Sequence, residues 1–287
     1  MKIGLSIYSL WGAIKQGMPL EDAIQWMKDN GADHFEVVSF VVHPEEAGVI
    51  ERIRRKAEEI QLPVSAFCTG FDVLQNDPTL CSAAVQNIKR NIDYAHQLGA
   101  PVIRSDLSEW GRAPAQNVIE NFQQNLPKLI KICRELADYA AAYGMTLCVE
   151  NHGTYINGGD RVRQLLLGVD HPNFRCTLDV GNAICVDEDP IRCMNALLPF
   201  AAAIHFKDFY LRDDDRFLDN SFWNKTNGGR FFRGAIVGQG ELPVEKLAAQ
   251  LKASGYDGNV CIEFEGAEDP LLGSKISMDN VRKLLCS

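Results

Sequence analysis

Residues 145–153, MTLCVENHG, decide how this chain is read: a short, mostly apolar run ends on Glu150 and is followed at once by Asn-His-Gly, a turn signal. Three later stretches repeat the pattern. Residues 174–183 read FRCTLDVGNA and carry Asp179, residues 202–209 read AAIHFKDF and carry His205, and residues 259–266 read NVCIEFEG and carry Glu263. Near-continuous apolar runs of this length suit parallel strands covered on both faces, and a charged group is not placed at the end of one without a partner. Three carboxylates and an imidazole at matching strand ends predict one shared divalent cation.

Working outward, strand-like runs alternate with helix-like segments along the whole chain. The candidate strands are 2–9, 33–39, 63–69, 101–106, 145–150, 174–179, 201–207 and 259–263. Between them, segments such as LEDAIQWMKDNGAD (20–33) and VEKLAAQLKASGYDG (244–258) place apolar residues three and four apart and end on a C-capping glycine. This repeat predicts a single α/β domain over residues 1–287, a closed (β/α)8 TIM barrel. An open doubly wound sheet is the alternative, but no GxGxxG follows the first strand. In 114–143, Pro114 suits a first helical position, whereas Pro127 predicts a kink or a break. Segment 210–240 shows no helical period and holds Phe217, Phe222, Trp223, Phe231 and Phe232; it reads as a lid or an oligomer contact.

With 29 basic against 38 acidic residues and a formal charge of -9, the chain is poorly suited to a nucleic-acid backbone or an anionic membrane. A small-molecule substrate fits better. Nine cysteines with no CxxC pair predict reduced thiols and a cytoplasmic protein. The N-terminal MKIGLSIYSLWGAI has some signal-peptide character but reads as a first strand. No run approaches the roughly 18 apolar residues of a membrane span.

In a (β/α)8 barrel the C-terminal strand ends form the active face, so Glu150, Asp179, His205 and Glu263 meet there as metal ligands on strands five to eight. Taken singly, each could be a strand-end group paired with Arg or Lys. Mixed oxygen and nitrogen ligation favours a hard ion, Mn²⁺ first, with Mg²⁺, Co²⁺ and Zn²⁺ as alternatives. Such a cation polarises a carbonyl and acidifies the neighbouring C–H. Glu150 and Glu263, facing each other across it, are then the expected catalytic pair, one removing and the other returning a proton.

The motifs VENHG (149–153), LDVGN (178–182), HFKD (205–208), GQGEL (238–242) and IEFE (262–265) resemble those of the sugar phosphate isomerase/epimerase family with the xylose isomerase-like barrel. The resemblance implies a divalent metal held by Glu, Asp, His and Glu, and the two glutamates as acid and base. This chain differs at Asn182, where many members carry His; an amide bonds a sugar hydroxyl but is a poor metal ligand. That change and the six histidines weaken kinship with the His-rich endonuclease IV-like branch.

His152 and Lys207 share strand parity with Glu150 and His205, and with Asn182, Glu36 and Arg104 they form the expected substrate contacts. Tyr8, Phe67 and Trp110 are expected as pocket walls. The expectation is an isomerase or epimerase of a carbohydrate or polyol. The main alternative is a lyase on the same scaffold, of the inosose dehydratase or C-glycoside-cleaving type, since both begin with the same proton abstraction. A metal-dependent endonuclease and a noncatalytic sugar-binding subunit rank lower. Homo-oligomerisation is left open.

Overall fold

Seven of the eight expected strands come first in the chain. They are β1 (Lys2–Ser6), β2 (Phe35–Val38), β3 (Val64–Gly70), β4 (Val102–Asp106), β5 (Thr146–Glu150), β6 (Phe174–Asp179) and β7 (Ala201–Phe206). After them follow β8 (Asp208–Arg212), β9 (Asn224–Lys225), β10 (Phe231–Ala235) and the eighth barrel strand, β11 (Asn259–Ile262). In this computed structural model, which describes residues 1–216, 218 and 222–286, strands β1 to β7 and β11 pair in parallel around a closed barrel in the order β1-β11-β7-β6-β5-β4-β3-β2. The fold is a single (β/α)8 TIM barrel. Phe217 lies outside the described residues.

The helices are α1 (Trp11–Lys15), α2 (Leu20–Asp29), α3 (Ser39–Val42), α4 (Val49–Glu59), α5 (Pro78–Gln97), α6 (Ile119–Ala141), α7 (Gly159–Val169), α8 (Pro190–Leu197), α9 (Val244–Ala253) and α10 (Pro270–Cys286). The longer ones cover the barrel with one apolar stripe each. In α4, for example, Val49, Ile50, Ile53 and Ala57 are buried. All nine cysteines are free, and Cys68, Cys133, Cys148, Cys176, Cys185, Cys193 and Cys261 pack in the interior as small apolar side chains.

Several element boundaries differ from expectation by one or two residues, β7 and β11 stopping just before Lys207 and Glu263, and three differences have a local cause. The first strand stops at Ser6 and turns into a 3-10 segment, Ile7–Leu10. That turn brings Ser9 beneath the end of β11, where its hydroxyl accepts from the Phe264 amide at 2.9 Å. The second strand ends at Val38, one residue early, because Ser39 opens α3 and its hydroxyl donates to Thr69 Oγ1 at 3.2 Å. Pro127 does not break α6, which runs on through it. Pro127 and Gln123, whose carbonyl would have taken the missing amide, are both on the exposed face, so water can replace that bond while Phe122, Leu129 and Cys133 hold the buried side.

Segment 210–240 is not irregular. Together with Asp208 and Phe209 it carries an antiparallel sheet in the order β8-β10-β9. This sheet is tied to neighbouring loops on the C-terminal face: Asn227 donates from its amide to Cys185 O and from its side chain to Thr154 O, and Gly228 N donates to Asp187 Oδ2. Phe232 packs against Phe209 and against Trp110, whose ring lies 6.4 Å away in the loop after β4. The base of the segment is fixed by Asp208, whose carboxylate accepts four backbone amides: Phe209 at 2.8 Å, Gly238 and Gly240 each at 2.9 Å, and Leu242 at 3.1 Å. A Cβ at Gly240 would run into that carboxylate, which explains a glycine there. Asp208→Ala leaves these amides without their acceptor, those of Phe209 and Leu242 in buried surroundings; we expect a loss of about 3 kcal/mol in urea unfolding and faster hydrogen exchange at Gly238, Gly240 and Leu242.

Candidate active site

The four strand-end residues converge. Glu150 and Asp179 are the last residues of β5 and β6, His205 is the penultimate residue of β7, and Glu263 follows β11. One ligand atom from each lies within 4.8 Å of the others, and all four side chains are buried. His205 is at the centre. Its Nδ1 lies 2.9 Å from Glu150 Oε1 and 3.6 Å from Glu263 Oε1, and its Nε2 lies 2.8 Å from Glu36 Oε2. Burial alone would lower the pKa of this ring, but the carboxylates of Glu36, Glu263 and Glu150 outweigh it and hold the pKa well above the ordinary value.

Asp179 is aimed by the backbone on both sides. Its Oδ1 accepts from the amides of Gly181 at 2.8 Å and Asn182 at 2.7 Å. Its main chain is gripped by Asn151, which donates from Nδ2 to Asp179 O and accepts from Asp179 N on Oδ1. That leaves Asp179 Oδ2 buried without a hydrogen bond, and Glu150 Oε2 is in the same condition. A cation stands 3.3 Å from each: Lys207 Nζ from Asp179 Oδ2 and Arg104 Nε from Glu150 Oε2. Lys207 also pairs with Glu263 at 2.8 Å and Glu265 at 2.9 Å. Burial works against its charge, but Asp179, Glu263 and Glu265 prevail and its pKa is well raised. Burial likewise opposes ionised Glu263, yet Lys207 and His205 hold its pKa well below normal.

Arg104 and His152 meet on Asp106, whose Oδ2 lies 2.7 Å from Arg104 and 3.2 Å from His152 Nδ1. These three residues line a cavity of about 720 Å³ walled by the ends of β2, β3 and β4, by α3 and one face of α5, and by the loops after β3, β4 and β5. The four converging residues do not themselves line it; Arg104 stands between the cavity and Glu150.

A family profile for the xylose isomerase-like TIM barrel matches residues 24–284. The chain belongs to this family. Among its relatives, an inosose dehydratase from Lacticaseibacillus casei is 25% identical over 189 residues, 62% of this chain and 61% of that protein. The match therefore spans less than two thirds of that dehydratase. A fructoselysine 3-epimerase from Shigella flexneri is 23% identical over 286 residues, covering 94% of this chain and 95% of that one. Among solved structures, a 3-keto-D-glucoside 4-epimerase from E. coli superposes with a TM-score of 0.74 at 20% identity, covering 99% of both chains.

The expected substrate contacts divide within this xylose isomerase-like barrel. Arg104 and His152 reach the cavity. Glu36 does not: it is 1% exposed, inside the barrel, against His205 and Cys68. Lys207, 3% exposed, is enclosed by carboxylates, and Asn182 is buried with its backbone committed to Asp179 and Asn157 and its Nδ2 unpartnered. Of the expected walls, Trp110 lines the cavity, Phe67 is a core residue with no exposure, and Tyr8 packs against Trp11 and Phe40. Asp106 was missed. It ends an expected strand on a carboxylate, the same signal that singled out Glu150.

Burial, only partly offset by Lys207, pushes the Asp179 carboxyl up to about 6. Its charged form is therefore lost as pH falls through that value, well above the ordinary carboxylate range. In ¹³C NMR of metal-free protein the Asp179 carboxyl should titrate near 6, and Lys207→Met should move the midpoint higher still; a midpoint near 4 would contradict this.

Proposed function

We propose that this enzyme is a divalent-metal-dependent carbohydrate isomerase or epimerase that moves a proton on a carbon next to a carbonyl. The observation behind the reading is the convergence of Glu150, Asp179, His205 and Glu263 into one buried cluster, with two carboxylate oxygens, Glu150 Oε2 and Asp179 Oδ2, that receive no hydrogen bond. Orphaned lone pairs at this depth fit a cation. Glu150, Asp179, His205 and Glu263 would hold it. The oxygen-rich, thiolate-free donor set favours Mn²⁺, and free buried cysteines suit a cytoplasmic protein. When bound, the metal supplies Lewis acidity to a carbonyl and an adjacent hydroxyl, which acidifies the C–H between them.

The chain's own residues then act as follows. Lys207 keeps Glu263 in the ionised form that a proton acceptor needs. Glu150 meets the same Nδ1 from β5, with β6 and β7 between its strand and β11, so a proton taken by one glutamate is returned from another direction by the other. Arg104 and His152, held together by Asp106, present donors to substrate oxygens on the cavity side. Glu36 takes the Nε2–H of His205 and so directs Nδ1 at the cluster, as carboxylates behind metal-binding histidines do.

A lyase is the second reading, favoured by the inosose dehydratase match, because the same abstraction can expel a β-substituent. A two-metal hydrolase is disfavoured: Asp106, Glu150 and His152 form a second ligand cluster, but the Arg104 guanidinium already lies among them.

Proton NMR in D₂O on Mn²⁺- or Mg²⁺-loaded protein, with ketoses, inososes and 3-oxo-glycosides, tests the reading. We expect loss of the C–H signal next to the carbonyl and growth of an epimer or isomer, slowed roughly 10²- to 10⁴-fold in Glu150→Gln and Glu263→Gln. An unsaturated or cleaved product would shift the assignment to a lyase. In calorimetric titration with Mn²⁺, Glu36→Ala should weaken binding about 10- to 100-fold, and Glu36→Gln, whose amide oxygen still accepts from Nε2, should lose less.

A further inference from the structure

Three features of the cavity beside the site concern what occupies it. The first is size. Pockets of about 300–1,000 Å³ enclose drug-sized ligands, and 720 Å³ is in the upper part of that range, more than a lone hexose fills.

The second is the placement of aromatic side chains. Exposed large apolar residues need a reason when they line a concave surface. Phe40, 49% exposed, comes from α3, which follows β2 directly, and Trp110, 41% exposed, from the loop after β4, so they reach the cavity from either side of β3. Phe71 and Tyr94 line it as well.

The third is that both exposed rings are held in place. Phe40 packs edge-to-face on Tyr8 at 5.7 Å and Trp11 at 5.2 Å. The Trp110 carbonyl accepts from the Thr154 amide at 2.9 Å, and its ring lies against Phe232. A side chain fixed by neighbours while still exposed to a cavity binds a flat partner with little further ordering.

Arg104, Asp106 and His152 are next to Glu150 and suit sugar hydroxyls. Phe40 and Trp110 offer exposed ring surface to the same cavity, whose wall also carries polar side chains such as Asp72 and Arg90 that suit the substituents of a ring system. We infer that the ligand is a glycoside rather than a free monosaccharide, its sugar ring at Arg104, Asp106 and His152 and a planar aglycone against Phe40 and Trp110. This rests on the proposed function only in taking the residues beside Glu150 as the sugar's place.

The test is a binding comparison that needs no turnover. Saturation-transfer NMR and calorimetry on the Mn²⁺-loaded protein would compare 4-nitrophenyl β-D-glucopyranoside with methyl β-D-glucopyranoside. We expect the aryl glycoside to bind at least tenfold more tightly. In Phe40→Ala and in Trp110→Ala the aryl-to-methyl affinity ratio should fall roughly three- to tenfold, and Trp110→Phe should recover part of it. Both side chains are surface-exposed, and circular dichroism confirms that each variant is folded. Equal binding of the two glycosides, or a ratio unmoved by either substitution, would overturn the inference. So would an altered oligomeric state in light scattering with unchanged aryl affinity, which would assign the rings to a contact between copies. Aryl preference without turnover in D₂O leaves this inference standing while the proposed reaction fails; turnover of free ketoses without aryl preference does the reverse.

Discussion

Four carboxylates, Glu36, Glu150, Asp179 and Glu263, are buried around one imidazole at the mouth of the barrel, and the rest of the site is arranged to make that tolerable. An ionised carboxylate in such a place is expensive unless paired. His205 pairs with three of them. Lys207 serves Asp179 and Glu263, Arg104 stands beside Glu150, and backbone amides take Asp179 Oδ1. Each compensating group is itself buried and of opposite sign, so removing one strands another. The rule for a disrupted buried pair, a cost of about 3–5 kcal/mol, then applies to the cluster as a unit and not to any single contact.

The barrel was legible because burial on both faces forces a recognisable apolar run, and because only a strand end can carry a charge into the centre. The same logic located the four converging residues. It could not say what each side chain does next. Glu36 and Arg104 look alike in sequence, a charge near the end of a short strand, yet Glu36 lies against the inward side of His205 and Arg104 reaches the cavity. Depth along the barrel axis separates them, and depth depends on register, such as the shift between β2 and β3 at Phe35 and Glu36. Strand ends were misjudged for a related reason: Ser6 and Val38 stop their strands to let Ser9 and Ser39 make side-chain bonds, a choice that apolar periodicity does not record.

The segment after β7 failed to show a helical period because it is a small sheet, and its strands are too short and too mixed to announce themselves. Its placement depends on Asp208, three residues past His205. One carboxylate takes amides from both ends of the segment, so the same short motif that supplies His205 and Lys207 also anchors what lies over them. Two members of the buried cluster, His205 and Lys207, and the closure of the C-terminal face on this side are thus encoded within four consecutive residues, His-Phe-Lys-Asp.

That closure makes the site directional. The β8-β10-β9 sheet is tied to the loops after β5 and β6 and meets Trp110 from above, while the open cavity lies on the side of β2, β3 and β4. Approach from the cavity meets Arg104, Asp106 and His152 first and then Glu150, whereas Glu263 and Lys207 do not line the cavity. The two glutamates are therefore unequal before any substrate binds. Glu150 faces Arg104, which borders the cavity, whereas Glu263 is pinned by a lysine that is itself enclosed by Asp179 and Glu265.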